Sequence, residues 1–440
     1  MLNRRKTGGA ALDALATASA LALSLAPAEA DFSPQANDVV STGSDILQNS
    51  FNFLADGYGE LPGYNAAGNR WRFVNFDSSG DAQGRSAFTD PRLLPTIVGN
   101  GTVGEAGVQY IKRNDLRLLN PTISLRAGQP LVVRPSGGGG GGRDAIINDD
   151  KGWIDVGRSP DPLTPENQTL AQSKLNTKLI RVQIATDRQL IATSTDTNAP
   201  ATLTAEAILK IYHGDYLTWG DVPGYVGTDE VKAQKIIPLL LPTDAGMWNT
   251  FLANVKKQNP AVSVDAAYLR ANPNRISVQQ NDPTAITGLS ASDRKNAIVP
   301  FPRGRFRTLN TGYYTQTKEA AGTLDSPKAN QYNTDTDHRT PASAEGIKLL
   351  DADSNTDVAA NTAAYGGNFA YNAIVRESDL KSTTPWQPGS TLNWVKALFY
   401  NPGGPLPFVR TPAGQQLLAA AGVKPDYHVF GTDNAEITVD

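Results

Sequence analysis

Residues 131–161 read LVVRPSGGGGGGRDAIINDDKGWIDVGRSPD, and this stretch decides the fold class. It contains a short apolar run, a Pro-Ser turn with six consecutive glycines, a helical segment at 143–148 and a second apolar run at 153–157. A third apolar run follows at 179–186. Strand-like runs that alternate with helical segments are typical of layered α/β folds. The sequence therefore predicts an α/β protein with mixed, mostly parallel sheets and flanking helices.

The same alternation extends outward from this stretch. Further apolar runs that favour strands lie at 72–76, 235–241, 296–300 and 369–375. Within 203–222, apolar residues recur at helical spacing, and Gly214 stands where a left-handed residue would end the helix. Residues 392–399 and 414–421 are predicted to be the last two helices, with Gly422 as a stop.

The chain has 440 residues, which is more than a single hydrophobic core usually stabilises, so two lobes are expected. We place lobe one at 31–181 and 376–440, and lobe two at 182–375, with a ligand cleft between them. Two polar stretches, 81–128 and 318–362, are expected to be an irregular insertion and a surface excursion.

The first thirty residues resemble a targeting segment. Arg4, Arg5 and Lys6 precede an Ala/Leu-rich run that Asp13 interrupts, and Ala28-Glu29-Ala30 fits a signal peptidase site. The run is short for a membrane span, so we predict a signal peptide at 1–30 and an exported protein. The location is then periplasmic, cell-surface or secreted, and the export route stays open. The absence of cysteine excludes disulfides, thiolate metal sites, cysteine nucleophiles and a lipid-anchored cysteine.

The charge balance is slightly acidic. There are 40 basic residues (Lys and Arg) against 43 acidic ones, and the basic residues form no block. This argues against a nucleic-acid partner. It leaves an anion pocket open, because backbone N–H groups and one or two arginines set the potential inside a cleft.

Three segments share one pattern, in which small hydroxyl and glycine residues stand just before a helix. They are Thr42-Gly43-Ser44-Asp45, Ser136 with Gly137, Gly138 and the rest of the glycine run, and Thr243-Asp244-Ala245-Gly246. The first turn of a helix has N–H groups without partners and a positive dipole end, which suits an anion. Each segment alone is equally typical of an ordinary helix cap. Together, they predict an oxyanion pocket if they meet in one cleft.

The glycine run has its own alternatives. It could be a flexible linker, although it stands between a strand and a helix. A nucleotide-binding P-loop is excluded, because the run ends in Gly142-Arg143-Asp144 instead of Gly-Lys-Ser/Thr.

Arg158, Ser159 and Asp161 supply a cation, a hydroxyl and a carboxylate just after a predicted strand. Arg158 would pair with an oxyanion through its planar fork, and Asp161 would accept the proton of monohydrogen phosphate. The carboxylate would then select against sulfate, which has no proton to donate. The alternative is a surface ion pair in an ordinary turn.

Features of catalysis are few. His213, His338 and His428 are far apart in the sequence, and no pair has a metal-binding helical spacing. There is no Gly-x-Ser-x-Gly motif, and no two carboxylates stand out as an acid and base pair. We therefore expect no catalytic residues, no metal and no cofactor.

These segments, in this order, resemble the phosphate-binding subunit of ABC transporters, a type II periplasmic solute-binding family. Residues 42–45, 135–138 and 154–161 resemble its three ligand loops in lobe one, with Pro160 as an insertion. Residues 203–222 resemble the family's helix with Gly and Trp-Asp, and 411–416 its closing Pro-x-Gly-Gln helix. The resemblance covers most of residues 38–440.

The resemblance implies a monomer that captures a small oxyanion, phosphate above all, and delivers it to an ABC permease in the membrane. Lobe one would contact the ligand through Thr42, Gly43, Ser44, Asp45, Ser136, Gly137, Gly138, Arg158, Ser159 and Asp161, and lobe two through Thr243, Asp244 and Gly246.

One segment departs from the family. Where the phosphate binders have an arginine and a Gly-Ser-Gly-Thr loop, this chain has residues 242–247, PTDAGM, in which Asp244 would repel a dianion. A different oxyanion or a neutral polar ligand therefore stays open. So do two other functions: a secreted phosphatase-like hydrolase, and a secreted interaction protein with a degenerate cleft.

Overall fold

The structure is a computed structural model of the chain. It describes residues 35–67, 71–76, 122–123, 125–130, 132–133, 139–241, 243, 245–278, 280–310, 344–350 and 362–439. The predicted signal peptide and site residues Ser136, Gly137, Gly138 and Asp244 lie outside the described residues, as do His338 and nearly all of the two polar stretches.

The strands are short except for two. They are β1 (Val39–Gly43), β2 (Gly57–Tyr58), β3 (Leu61–Pro62), β4 (Phe73–Asn75), β5 (Thr122–Ile123), β6 (Val132–Val133), β7 (Val156–Ser159), β8 (Leu179–Ser194), β9 (Ile237–Leu240), β10 (Ile276–Ser277), β11 (Ala297–Pro302), β12 (Ile347–Leu349), β13 (Gly367–Arg376), β14 (Lys424–Phe430) and β15 (Glu436–Ile437).

The helices lie between these strands. They are α1 (Asp45–Asp56), α2 (Gly141–Ile147), α3 (Pro165–Leu175), α4 (Ala205–His213), α5 (Asp229–Lys232), α6 (Gly246–Gln258), α7 (Thr284–Thr287), α8 (Ala291–Arg294), α9 (Arg303–Leu309), α10 (Glu377–Lys381), α11 (Trp394–Leu398) and α12 (Pro412–Ala420).

In the described part of the chain, eleven strands form one mixed sheet, with β2–β3 and β5–β6 as separate pairs. The path through this sheet is β10-β9-β11-β8-β13-β7-β1-β4, β12 and β14 also pair with β8, and β15 pairs with β14. Pairing is parallel in the two outer parts, β10-β9-β11 and β7-β1-β4, and antiparallel in the middle. The expected mixed α/β fold is confirmed, with its parallel strands divided into two groups.

Two long strands connect these groups. β8 pairs with β13 from Leu179 to Gln189, with β14 near its amino end, and with β11 and β12 near its carboxyl end. β13 runs antiparallel to β8 and ends beside β7. The chain therefore crosses from one parallel group to the other along β8 and returns along β13. The division of lobes at 181 and 376 stays a prediction, and both positions fall within these strands.

Side chains of β1 alternate between two apolar layers. Val39 belongs to the large core with Leu47 and Phe51 of α1, whereas Val40 packs in a smaller core with Ile146 of α2. Residues two apart on a strand share a face, so Thr42 lies on the α2 face of the sheet. β1 therefore stands between α1 and α2, and its carboxyl end meets the start of both helices.

No helix within the described ranges is long and apolar enough to cross a membrane.

Candidate functional site

The junction of β1 and α1 forms the first part of the candidate site. Gly43 has φ of 115°, a conformation that favours glycine, and a Cβ atom there would meet the backbone of Gly142 and of Arg158. The Ser44 N–H donates to the Arg158 carbonyl at 3.0 Å, and the Ser44 side chain makes no capping hydrogen bond to α1. The chain therefore turns sharply and places the first turn of a twelve-residue helix beside α2.

Thr42 lies just before this turn and is almost fully buried, at 1% exposure. Among the described residues, its Oγ1 atom has no hydrogen-bond partner. A buried hydroxyl without a partner costs free energy, so such an atom calls for an explanation such as a ligand.

The end of β7 and the loop that follows it form the second part. Ser159 is fully buried, and its Oγ donates to the Gly139 carbonyl at 2.7 Å and accepts from the Asp161 N–H at 3.0 Å. Asn372 on β13 donates to the Ser159 carbonyl at 2.9 Å. These bonds fix the Asp161 backbone against the end of the glycine run and against a crossing strand.

Helix α6 supplies the third part from the other parallel group of strands. A Cβ atom on Gly246 would lie 2.7 Å from the Cα of Gly139 and 3.4 Å from Cγ of Pro160. A Cβ atom on Gly139 would in turn lie 2.9 Å from the Oδ2 atom of Asp161. The start of α6 therefore touches both the glycine run and the loop after β7. This close approach is possible because Gly139 and Gly246 have no side chains.

The Asp161 carboxyl lies in a partly buried setting within this cluster. Burial raises the pKa of Asp161, the Arg143 charge lowers it, and the Asp144 charge raises it. A carboxyl group with a raised pKa can hold or accept a proton more readily than an exposed one.

The structure corrects the expected role of Arg158. Arg158 and Ser159 are the last two residues of β7 and not part of a loop, since β7 runs from Val156 to Ser159 between β1 and β13. The Arg158 side chain is fully buried, and its guanidinium donates to main-chain and side-chain oxygens of the protein. The acceptors are the carbonyls of Ser41, Gly43, Ser44 and Phe76, with Ser41 Oγ and Asn75 Oδ1.

Every N–H direction of this fork is thus used within the protein. Arg158 fastens the β1–α1 turn and does not present its fork to a ligand.

The other selected residues are placed as follows. Asp45 is the first residue of α1, next to Ser44. Thr243 is half-buried in the turn that leads to α6, and Ala245 at the α6 N-cap has no side chain that could cap the helix. The structure therefore brings together the segments of Thr42, Ser44, Ser159, Asp161 and Gly246.

The sequence interpretation included Gly139 and Gly142 within the glycine run of the predicted pocket, named only Gly137 and Gly138 of that run as ligand contacts, and did not select Arg143. All of these residues belong to the quoted stretch, and the signal was present in the glycine run and the basic residue that ends it. Which glycines touch other segments depends on contacts between distant parts of the chain.

Within the described ranges, no group of three or more His, Asp or Glu residues could hold a metal ion. His213 stacks on Tyr268 at 3.9 Å and pairs with Asp215, and His428 lies between Asp426 and Glu436. His213 is the last residue of α4, and His428 lies on β14, which is separated from β7 by β8 and β13.

A mixed sheet with two crossing strands, at which loops from both parallel groups meet, is the architecture of a solute-binding protein. The PBP superfamily domain matches residues 118–363, more than half of the chain, so the chain belongs to this superfamily. No curated protein matches the sequence.

Several solved structures are similar at low identity. A protein of Clostridium perfringens, described as a phosphate ABC transporter substrate-binding protein with bound phosphate, is 15% identical, with 66% of this chain and 85% of that chain covered and a TM-score of 0.36. An ABC-type phosphate transport receptor of Vibrio cholerae is 14% identical, with coverage of 66% and 86% and a TM-score of 0.37. Since both TM-scores are low, these similarities carry no argument about the ligand of this chain.

Proposed function

We propose that this protein is an exported solute-binding protein that captures a small oxyanion and delivers it to an ABC importer. The oxyanion that we propose is phosphate. The observation that carries the proposal is the meeting of three segments along the glycine run: Ser159–Asp161 and Gly246 contact Gly139, and Gly43–Ser44 lies against Gly142. These segments come from both parallel groups of strands. A ligand held there would touch both sides of the molecule and favour a closed form.

The chemistry of the cluster suits an anion. Helices α1 and α6 have twelve and thirteen residues, and neither has a side-chain cap at its start. Their first N–H groups and positive dipole ends therefore suit a bound anion. The Thr42 hydroxyl, buried and without a partner among the described residues, would add one more donor.

The Asp161 carboxyl narrows the choice of anion. An oxygen acceptor beside an anion repels it unless the anion donates a proton. Monohydrogen phosphate has such a proton and sulfate at neutral pH has none, so Asp161 favours phosphate over sulfate. Capture and release, with no chemical step, account for this arrangement, and we propose no catalytic residue.

A signal peptide at 1–30 would export the chain, and a membrane permease would receive the ligand from the closed monomer. The lobes would be 31–181 with 376–440, and 182–375.

Calorimetric titration of the purified protein with inorganic phosphate, sulfate, a neutral sugar and a nucleotide tests the ligand. We expect heat of binding with phosphate and at least tenfold weaker binding of sulfate. Binding of the sugar alone, or of none of the four, would contradict the proposal. Hydrolysis of a phosphate ester by the wild type, lost in Asp161→Asn, would favour the hydrolase instead.

Thr42→Val tests the site itself. Valine keeps the shape of threonine and removes the hydroxyl, so phosphate should bind about 10- to 100-fold more weakly, as a hydrogen bond to a charged group contributes about 1.5–3 kcal/mol. The same change should raise the free energy of unfolding without ligand by about 1 kcal/mol, because a buried polar atom without a partner is lost.

The matched control is Thr169→Val on exposed α3, whose Oγ1 donates to the Pro165 carbonyl at 3.0 Å. It should leave phosphate binding unchanged. If Thr42→Val instead destabilises the protein and leaves phosphate affinity intact, Thr42 is a structural residue and the site is elsewhere.

A further inference from the structure

The donors of the Arg158 guanidinium are used by oxygens of the protein around the β1–α1 turn. A cation that binds a ligand at the candidate site must therefore be a different residue. Arg143 lies two residues into α2, directly after the glycine run. Its side chain is 20% exposed, and its Nε donates to the Asp144 carboxylate at 2.8 Å. Among the described residues, no other hydrogen bond joins its guanidinium to the protein. The two terminal nitrogens therefore keep donors for a ligand.

The glycine run places Arg143 next to the cluster. A Cβ atom on Gly140 would lie 2.5 Å from Nη2 of Arg143, and a Cβ atom on Gly139 would lie 2.9 Å from Oδ2 of Asp161. Gly139 thus touches the Asp161 carboxyl, and the next residue, Gly140, touches the Arg143 guanidinium. Gly139 also touches Gly246, so the same two residues bring Arg143 close to the start of α6.

The electrostatic coupling agrees with this placement. Among the described basic groups, Arg143 is the one whose charge acts on Asp161 and lowers the pKa of that carboxyl. An arginine fork beside a partly buried carboxyl is a favourable setting for a ligand that offers both oxygen acceptors and one proton.

A second observation independently indicates a ligand at this place. Thr42 lies on the α2 face of the sheet, and its buried Oγ1 has no partner within the described ranges. Its neighbour Gly43 touches Gly142, which directly precedes Arg143. Thr42 and Arg143 therefore each stand next to one of two glycines that touch each other, one in β1 and one in α2.

We propose that Arg143 is the cationic residue that binds the oxyanion, with its terminal nitrogens on the anion and its Nε on Asp144. This inference rests on the proposed function, because it names the charge that the same site uses. It differs from the resemblance to the phosphate binders, which implied an arginine of lobe two, and from the interpretation of Arg158 drawn from the sequence.

The inference has one structural rival, in which Arg143 only pairs with Asp144 at the start of α2. The two readings make opposite predictions for Asp144. If Arg143 binds the anion, Asp144→Ala removes a negative charge near the ligand and should leave phosphate affinity equal or raise it a few-fold. If the ion pair is all that matters, Asp144→Ala and Arg143→Ala should weaken binding alike.

The experiment titrates inorganic phosphate into the wild type, Arg143→Ala, Arg143→Lys and Asp144→Ala. We expect Arg143→Ala to weaken phosphate binding about 10- to 100-fold, and Arg143→Lys to fall between it and the wild type, because lysine keeps the charge but loses the planar fork. Asp144→Ala should bind as well as the wild type or better. Lys151→Ala, at an exposed position with 60% exposure, is the control and should leave binding unchanged.

The outcomes separate the two proposals. If the wild type binds phosphate and Arg143→Ala binds equally well, this inference is overturned and the proposed function stands. Parallel losses in Arg143→Ala and Asp144→Ala overturn it also. If the wild type binds no oxyanion, the proposed function fails and this inference fails with it. Thermal unfolding of each variant shows whether it is folded, and Arg143→Lys carries the test if Arg143→Ala is not.

Discussion

Among single residues, Arg158 shows how a side chain chosen from the sequence as a ligand contact can have its donors taken by other partners in the fold. The sequence has an arginine and a hydroxyl before Asp161, which favours an anion site. The carbonyls that use its fork belong to Ser41, Gly43 and Phe76, which are more than 80 positions away. Main-chain acceptors leave no mark in the sequence, so this outcome was not predictable from residue types.

Arg158→Met should therefore destabilise the fold. The guanidinium serves several buried carbonyls, and each acceptor left without a partner costs about 1–3 kcal/mol, so we expect a loss of about 3 kcal/mol or more in the free energy of unfolding. Urea unfolding followed by circular dichroism measures it. Arg307→Met, at an exposed position of α9, is the control and should change stability much less. Wild-type stability in Arg158→Met would contradict the fastening role.

At the scale of elements, the sequence predicted what local patterns determine. Helix α4 begins after Thr204, whose side-chain oxygen accepts a hydrogen bond from the Ala207 N–H. It ends before Gly214, which has φ of 101°, as the sequence pattern predicted. The helix after the glycine run was expected at 143 and begins at Gly141, so two glycines are helical. β8 was expected to end at 186 and reaches Ser194, because pairing with β11 and β12 extends it through polar residues.

The polar residues of β8 form a buried junction that local patterns did not indicate. Asp187 is 3% exposed and accepts the Gly304 N–H of α9 at 3.0 Å, and its Oδ2 lies 3.2 Å from the Tyr371 hydroxyl of β13. The same hydroxyl oxygen lies 3.0 Å from the Ile46 carbonyl of α1, so its single proton is placed between two acceptors. One carboxyl and one phenol thus connect both crossing strands to two helices.

Asp187→Asn tests this junction through pH. Burial raises the pKa of Asp187 from 3.8 to about 7, against smaller opposing effects of its hydrogen bonds and the Arg303 charge. The folded protein therefore binds more protons than the unfolded chain across this interval, and stability falls as pH rises from about 4 to about 7. One such group contributes about 1.4 kcal/mol per pH unit. Asparagine does not titrate, so the decline should become shallower.

Urea unfolding at several pH values across this interval measures the slope. A second buried carboxyl, Asp155, also has its pKa raised to about 7, so part of the decline should remain in Asp187→Asn. Asp150→Asn, at 73% exposure, is the control and should leave the slope unchanged. An unchanged slope in Asp187→Asn would show that Asp187 is ionised in the folded protein throughout this interval.

For the whole molecule, the alternation of strand and helix patterns indicated the α/β class, and the two lobes expected from the chain length stay a prediction. The order of strands in the sheet was not predictable, because it depends on pairing between segments such as β8 and β14 that are far apart in the chain. The three candidate segments were chosen because hydroxyl and glycine residues precede a predicted helix, a pattern that is also typical of ordinary helix caps, and the contacts between them come from the fold. The crossing strands β8 and β13 connect the two parallel groups. A site at these three segments therefore depends on how the crossing strands place the two groups.

Gly246→Ala tests whether this approach matters for binding. The added Cβ would lie 2.7 Å from the Cα of Gly139, closer than carbon atoms pack, so the start of α6 must move away from the glycine run. If binding depends on that approach, phosphate should bind at least tenfold more weakly, while the large core that both groups of strands share, and most of the stability, are kept. Calorimetry gives the affinity, and small-angle X-ray scattering with and without phosphate gives the degree of closure.

Asn249→Ala, exposed on the same helix, is the matched control and should bind phosphate as the wild type does. The scattering profile of the wild type should become more compact with phosphate, and that of Gly246→Ala should change less. Equal affinity and equal compaction in both proteins would mean that the ligand does not bridge Gly139 and α6. The anion would then be held by β1, α2 and the loop after β7 alone, since those contacts do not involve α6.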